Sequence, residues 1–234
     1  AIPVALQNLI TFAVTFADNL MVGALGDAAV SGVYMGGQIQ TLLQMVSGGI
    51  EGAILVLAAQ YWGRRDVARI RCISAIGLRA SLAFGLLLTA VCFAFPAAVL
   101  SLFTDKPRVI AEGAAYLRIV CLSYVFFCAT QALIAAMRSG ERARIGMWVS
   151  SVSLLVNVGL NYVLIFGKLG APAMGVRGAA LATLISRMVE AAVMLVYIFA
   201  VDDRLKLRLK HFLESDRELR RDFIRCGAPI IGGQ

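Results

Sequence analysis

The 234 residues are 60% hydrophobic and only 15% charged, with a mean hydropathy of +0.82, which excludes an ordinary soluble domain and fits a helical protein crossing a membrane several times. A net charge of +8 would point to nucleic acid in a soluble protein. Here the position of the basic residues carries the information instead, and no nucleic-acid partner is read from it. The five cysteines form no CxxC pair and the single histidine, His211, sits in a charged loop, so neither a metal site nor a disulfide framework is expected.

A membrane span needs about 20 mostly apolar residues. Six stretches qualify, at about 3–25, 29–62, 72–103, 109–137, 145–167 and 174–201. The runs are too long and too uniform for the alternation of a β-barrel. Fold class is therefore all-α and polytopic, with 1–201 forming one six-helix transmembrane lobe. Basic residues orient it. Arg64, Arg65, Arg69 and Arg71 follow the second span, Arg138, Arg142 and Arg144 the fourth, and seven Lys or Arg between Arg204 and Arg221 the sixth. The opposite loops hold only Lys106, Arg108, Lys168 and Arg177. By the positive-inside rule both ends of the chain face the cytoplasm of a cell-membrane protein.

Residues 202–221 read as a basic cytoplasmic loop between lobes. Leu205, Leu207 and Leu209 alternate there with basic residues and Phe212 and Leu213 follow, a pattern expected to lie on anionic lipid. Residues 222–234 read as the start of a seventh helix. Pro229 and Gln234 echo Pro3 and Gln7, so the chain is expected to be the first half of a transporter with two six-helix lobes.

Polar residues inside apolar runs are the candidates for function. Asp18 lies near the outer end of the first span, and an unpaired charge there costs roughly 2.5–3.5 kcal/mol at mid-membrane; the alternative is an interfacial Asp in the headgroup region. Asn157 and Asn161 are one helical turn apart and share a face. Hydrocarbon cannot bond a carboxamide, so that face looks at protein or water, either as a binding site or as a bond between helices. Glu51, among Gly48, Gly49 and Gly52, is either a titrating site facing a cavity or a structural carboxyl bonded to a neighbouring helix. Gln40 and Gln44 share a face and are candidate cavity-lining residues. Arg187 and Glu190, three apart, are expected to pair structurally. No HExxH, GxSxG or Walker loop appears, so an enzyme is not expected and the energy source is an ion gradient.

Three passages carry a resemblance: FADNLMVGALGDAAVSG (16–32), AAQYWGRRD (58–66), and NVGLNYVLIFG (157–167) followed by GVRGAALATLIS (175–186). In this order the chain resembles the multidrug and toxic compound extrusion (MATE) family of cation-coupled exporters over essentially its whole length. The resemblance implies twelve helices in two lobes, of which this chain supplies the N-terminal one, with the C-terminal lobe as its partner. It also implies that Asp18 is the coupling carboxylate, beside Asn157, Asn161, Thr183 and the carbonyl of Ala179. Read from the residues alone, Thr183 bonds its own backbone. Where the family often has an Asp, this chain has Asn161, which favours H⁺ over Na⁺ as the coupling ion. No other cofactor is expected. The function expected is export of small cationic or amphipathic organic compounds by antiport. A lipid-linked oligosaccharide flippase of related architecture is the alternative.

Overall fold

The computed structural model describes residues 19–64, 66–139, 143–167, 172–200 and 219–223, and residues 9, 12, 13, 16, 225 and 226 besides. Among the described residues the regular elements are all helices: α1 (Asp27–Trp62), α2 (Val67–Ala94), α3 (Pro96–Ser101), α4 (Pro107–Val120), α5 (Ser123–Ser139), α6 (Ala143–Phe166) and α7 (Val176–Ala200). The described residues of the first predicted span are also helical. Leu9, Phe12, Phe16 and Leu20, spaced by three and four, are exposed, an apolar stripe suited to lipid. Gly26, at φ 101, turns the chain from that span into α1, a conformation L side chains rarely adopt.

The AAQYWGRRD passage forms the sharp turn from α1 to α2. The Asp66 side chain accepts a hydrogen bond from the Arg69 amide at 3.1 Å, which satisfies one of the free N–H groups opening α2. The Arg69 guanidinium lies 3.3 Å from the same carboxylate and 5.3 Å from the Tyr61 ring centroid. One aspartate thus ends a loop and starts a helix.

Two expected spans are not continuous. The stretch 72–103 breaks at Phe95, which leaves helical geometry at φ −130 and ψ 53 ahead of Pro96. The proline ring disfavours the α region for the residue before it and then opens the short α3 at its first position. The stretch 109–137 is two helices, α4 and α5, bent by 50°. Neither proline nor glycine lies at that break. Instead Thr89 of α2 donates its hydroxyl to the Cys121 carbonyl at 2.8 Å, and Ser123 donates to the Val120 carbonyl at 2.6 Å. Hydroxyls satisfy carbonyls that a straight helix would bond internally, a recognised cause of kinks. Among the described residues α1, α2, α6 (from Ile145) and α7 are each long and apolar enough to cross a membrane, and the bent α4–α5 pair passes the same test only when its two helices are taken together.

α1 sits centrally, packed on α2, α4 and α5, while α7 packs on α4, α5 and α6. One core, at the end carrying the α1–α2 turn, joins Ile54, Leu57, Ile70, Ile73, Met137 and Met194. A second, further along, joins Leu43, Cys92, Leu117, Tyr124 and Cys128. Outward side chains such as Leu87, Trp148, Leu155 and Val196 are large and apolar, as lipid requires. Leu219 and Phe223, one turn apart, are buried in the first core. Helix is therefore already present at Leu219, earlier than the expected start at 222; Leu205, Leu207, Leu209 and Phe212 lie outside the described residues.

Small residues set the distance between α1 and α4. A Cβ on Gly32 would stand 2.7 Å from the Gly113 backbone nitrogen, whereas one on Gly37 would meet nothing within 4 Å. Gly32→Ala should therefore cost about 1–3 kcal/mol through overpacking, read as a lower melting temperature in detergent, while Gly37→Ala leaves melting unchanged.

Candidate functional site

The opening turn of α7 is pressed against the end of α6. Gly167, at φ 67, ends α6, and the Met174 amide donates back to the Leu164 carbonyl at 3.0 Å. A Cβ on Gly178 would stand 2.5 Å from that carbonyl oxygen. Glycine is required there by the closeness of two backbones. The approach brings the polar faces of α6 and α7 together.

Asn157 and Asn161 are both buried, at 7% and 2% exposure. Asn161 Nδ2 donates to Asn157 Oδ1 at 3.2 Å, and Asn157 Nδ2 donates across to Ser186 Oγ of α7, also at 3.2 Å. The Ser186 hydroxyl donates to the carbonyls of Ala182, at 2.8 Å, and Thr183, at 3.0 Å. Ser153 of α6 donates to the Ser186 carbonyl at 3.1 Å. Thr183 Oγ1 donates to the Ala179 carbonyl at 3.1 Å, the backbone bond that a lone helical threonine ordinarily makes. Of the site residues expected from sequence, the structure joins Asn157 directly to Asn161, and Thr183 to Ala179. Asp18 lies outside the described residues. Val22 is buried in one cluster with Ile165 of α6 and Ala179 of α7.

Ser186 and Ser153 escaped the sequence reading. Their signal was present, since Ser186 falls three residues after Thr183 and Ser153 four before Asn157. A helical serine, however, more often bonds its own backbone.

The remaining candidates divide. The Glu51 carboxyl lies 4.0 Å from the Arg138 guanidinium of α5, a contact with a neighbouring helix. One turn away Ser47 and Cys128 link the same helices at 3.6 Å. Gln40 is half-buried and Gln44 is exposed. Arg187 and Glu190 form the expected pair at 2.7 Å, and Arg187 also lies 4.9 Å from the Phe127 ring centroid of α5. An open cleft of about 600 Å³ between the starts of α1 and α4 is lined by Asp27, Ser31, Lys106 and Arg108, away from the carboxamide cluster.

Comparison with known proteins places this arrangement. The MatE family model matches residues 3–163, and the chain belongs to that family. It is 32% identical over 231 residues to a probable multidrug resistance protein NorM of Rhizobium meliloti, covering 98% of this chain and 49% of the relative. It is 27% identical to a transporter of Bacillus subtilis, YisQ, covering 93% of this chain and 48% of that one. Its fold matches a MOP superfamily transporter from Pyrococcus furiosus at 21% identity and a TM-score of 0.88, over 98% of this chain and 50% of that chain. The inward-facing conformation of a multidrug resistance MATE family transporter matches at 21% identity and a TM-score of 0.83, over 93% of this chain and 49% of that chain. The chain thus spans about half the length of these relatives and corresponds to their N-terminal half.

Glu190 is only 3% exposed and relies on Arg187 for its charge balance. Removing one partner of a buried pair strands the other, so Arg187→Leu should destabilise the lobe by roughly 3 kcal/mol, the low end for such losses because Arg187 is partly exposed. The double replacement with Glu190→Leu should recover most of that loss, as read by thermal unfolding in detergent.

Proposed function

We propose that this chain is the N-terminal lobe of a two-lobed antiporter that couples inward movement of a cation to export of small cationic or amphipathic organic compounds. The observation carrying the proposal is the buried chain of carboxamides and hydroxyls between α6 and α7, on the positions that match the family's coupling site. Hydrocarbon offers such groups no partner, and an apolar helix contact needs none of them. Val22, four residues after Asp18 in the sequence, supports the reading by packing against the same two helices. The basic loops put both ends of this segment in the cytoplasm, with 202–221 joining the lobes and the helix that includes Leu219 leading into the second.

In this mechanism Asp18 takes up the cation from outside and releases it inside. Its occupancy biases the lobe between two packings of its first helix, and the substrate cavity follows that bias. A proton neutralises one carboxylate without a coordination cage. Sodium would have to shed its water for Asp18, the carboxamide oxygens, the Ala179 carbonyl and the Thr183 hydroxyl together. Asn161, neutral where a second carboxylate would help a metal cation, therefore favours H⁺.

Asp18→Asn should insert and fold normally, because it removes a charge from the membrane, and should abolish export of a lipophilic cation such as ethidium from cells lacking other pumps. Wild-type protection by that variant would overturn the reading. In vesicles, an imposed proton gradient should drive export and a sodium gradient at clamped pH should not. Asn161→Asp should strengthen sodium binding. Sodium-driven export by the wild type, unaffected by a proton ionophore, would show the preference to be wrong. Failure to move organic cations combined with movement of lipid-linked sugars would favour the flippase.

A further inference from the structure

We propose that the cleft between the starts of α1 and α4 binds one zwitterionic phospholipid headgroup, a phosphodiester joined to a primary ammonium. The cleft needs only a chain that spans a membrane and stands apart from the coupling reading of α6 and α7. It measures about 600 Å³ and is lined by Asp27 and Ser31 of α1 and by Lys106, Pro107, Arg108 and Val109 at the opening of α4. Val109 is buried and Ser31 half-buried, while Asp27, Lys106 and Arg108 are exposed. None of these three charges has an ion-pair partner among the described residues.

The length of α1 sets the depth of the cleft. Its 36 residues rise about 54 Å, well beyond the roughly 30 Å hydrocarbon core and somewhat beyond the roughly 40–45 Å that includes both headgroup layers. With the apolar middle of α1 centred in the bilayer, Asp27, its first residue, falls at headgroup level. Large apolar side chains accompany the lining residues along the chain. Val30 and Tyr34 follow Asp27 by one and two turns, Leu102 and Phe103 precede Lys106, and all four are exposed. Charge at the mouth with exposed apolar surface alongside suits an amphiphile, not a small ion.

The signs of the charges choose the headgroup. Asp27 on one wall opposes a simple anion or an anionic lipid, and Lys106 and Arg108 on the other oppose a simple cation. A ligand carrying both charges meets both walls. Arg108 offers a planar guanidinium and Lys106 an ammonium to the phosphodiester oxygens, with the Ser31 hydroxyl as a further donor. The ligand's own ammonium then lies toward Asp27, whose carboxylate only accepts hydrogen bonds. A primary ammonium donates such bonds; a trimethylated one donates none. Ethanolamine is therefore preferred to choline, and also to glycerol, which brings no positive charge to Asp27. Asp105 and Glu112, exposed nearby in the chain, are not part of the lining.

The test is binding of palmitoyl-oleoyl phosphatidylethanolamine, phosphatidylcholine and phosphatidylglycerol, each titrated in detergent micelles to the intact transporter and counted as retained adducts by native mass spectrometry. The wild type should hold the ethanolamine lipid roughly two- to tenfold more tightly than either of the others, the worth of one charged hydrogen bond at an exposed site. Asp27→Asn should erase the preference for ethanolamine over choline. Lys106→Gln combined with Arg108→Gln should weaken all three lipids, and Glu112→Gln should change nothing. Equal retention of the three lipids by the wild type, an unchanged preference in Asp27→Asn, or an equal loss in Glu112→Gln would overturn the proposal. Glycerophosphoethanolamine, the headgroup without its chains, should not displace the lipid at equal concentration; if it does, the cleft takes soluble phosphodiesters and the proposal falls. Retention of no lipid would return the cleft to contact with the second lobe and would equally overturn it.

Discussion

A bilayer interior supplies no hydrogen-bond partners, so each polar atom that enters it has to meet another polar atom of the protein. That constraint accounts for most of what is specific in this lobe. The break between α4 and α5 exists because Thr89 on α2 takes up the Cys121 carbonyl. The contact of α1 with α5 is fixed by Glu51 facing Arg138 and by Ser47 facing Cys128. The face shared by α6 and α7 carries two carboxamides bonded to each other and, from Asn157, to Ser186. Apolar packing alone fits helices together in many registers; paired polar atoms leave few.

The spans were legible because an unbroken apolar run of about twenty residues matches the thickness of a bilayer and little else. Their interruptions were legible to different degrees. Pro96 carries a signal for the end of α2, since the residue before a proline avoids helical geometry, but the continuous apolar run outweighed it in the reading of 72–103 as one span. The bend at Cys121 does not, because its cause stands on another helix. Asp66 signals its own cap by falling just ahead of the first turn of α2. The pairing of Asn157 with Asn161 follows from their spacing, but Ser186, which accepts from Asn157, lies across the helix interface, where no spacing rule reaches. Glu51 shows the same limit: the carboxyl was visible and the guanidinium that meets it was not. Gln44 is exposed. The buried seam of α1 runs through Ile39, Leu43 and Ser47, and Gln44 falls one residue off it, on the exposed side.

The seam of small residues and the polar bonds between α6 and α7 make different demands on the lobe. Gly32 against Gly113, and Gly178 against Leu164, hold backbones at fixed separation and tolerate little change. The bonds between α6 and α7 are directional and worth about 1 kcal/mol each, so that interface is held more softly than the glycine contacts.

Leu219 and Phe223 bring a final consequence. Both side chains are buried in the core formed by α1, α2, α5 and α7, so the short helical stretch at 219–223 is moored to those helices. Residues 219–223 therefore move as one body with the helices they pack on.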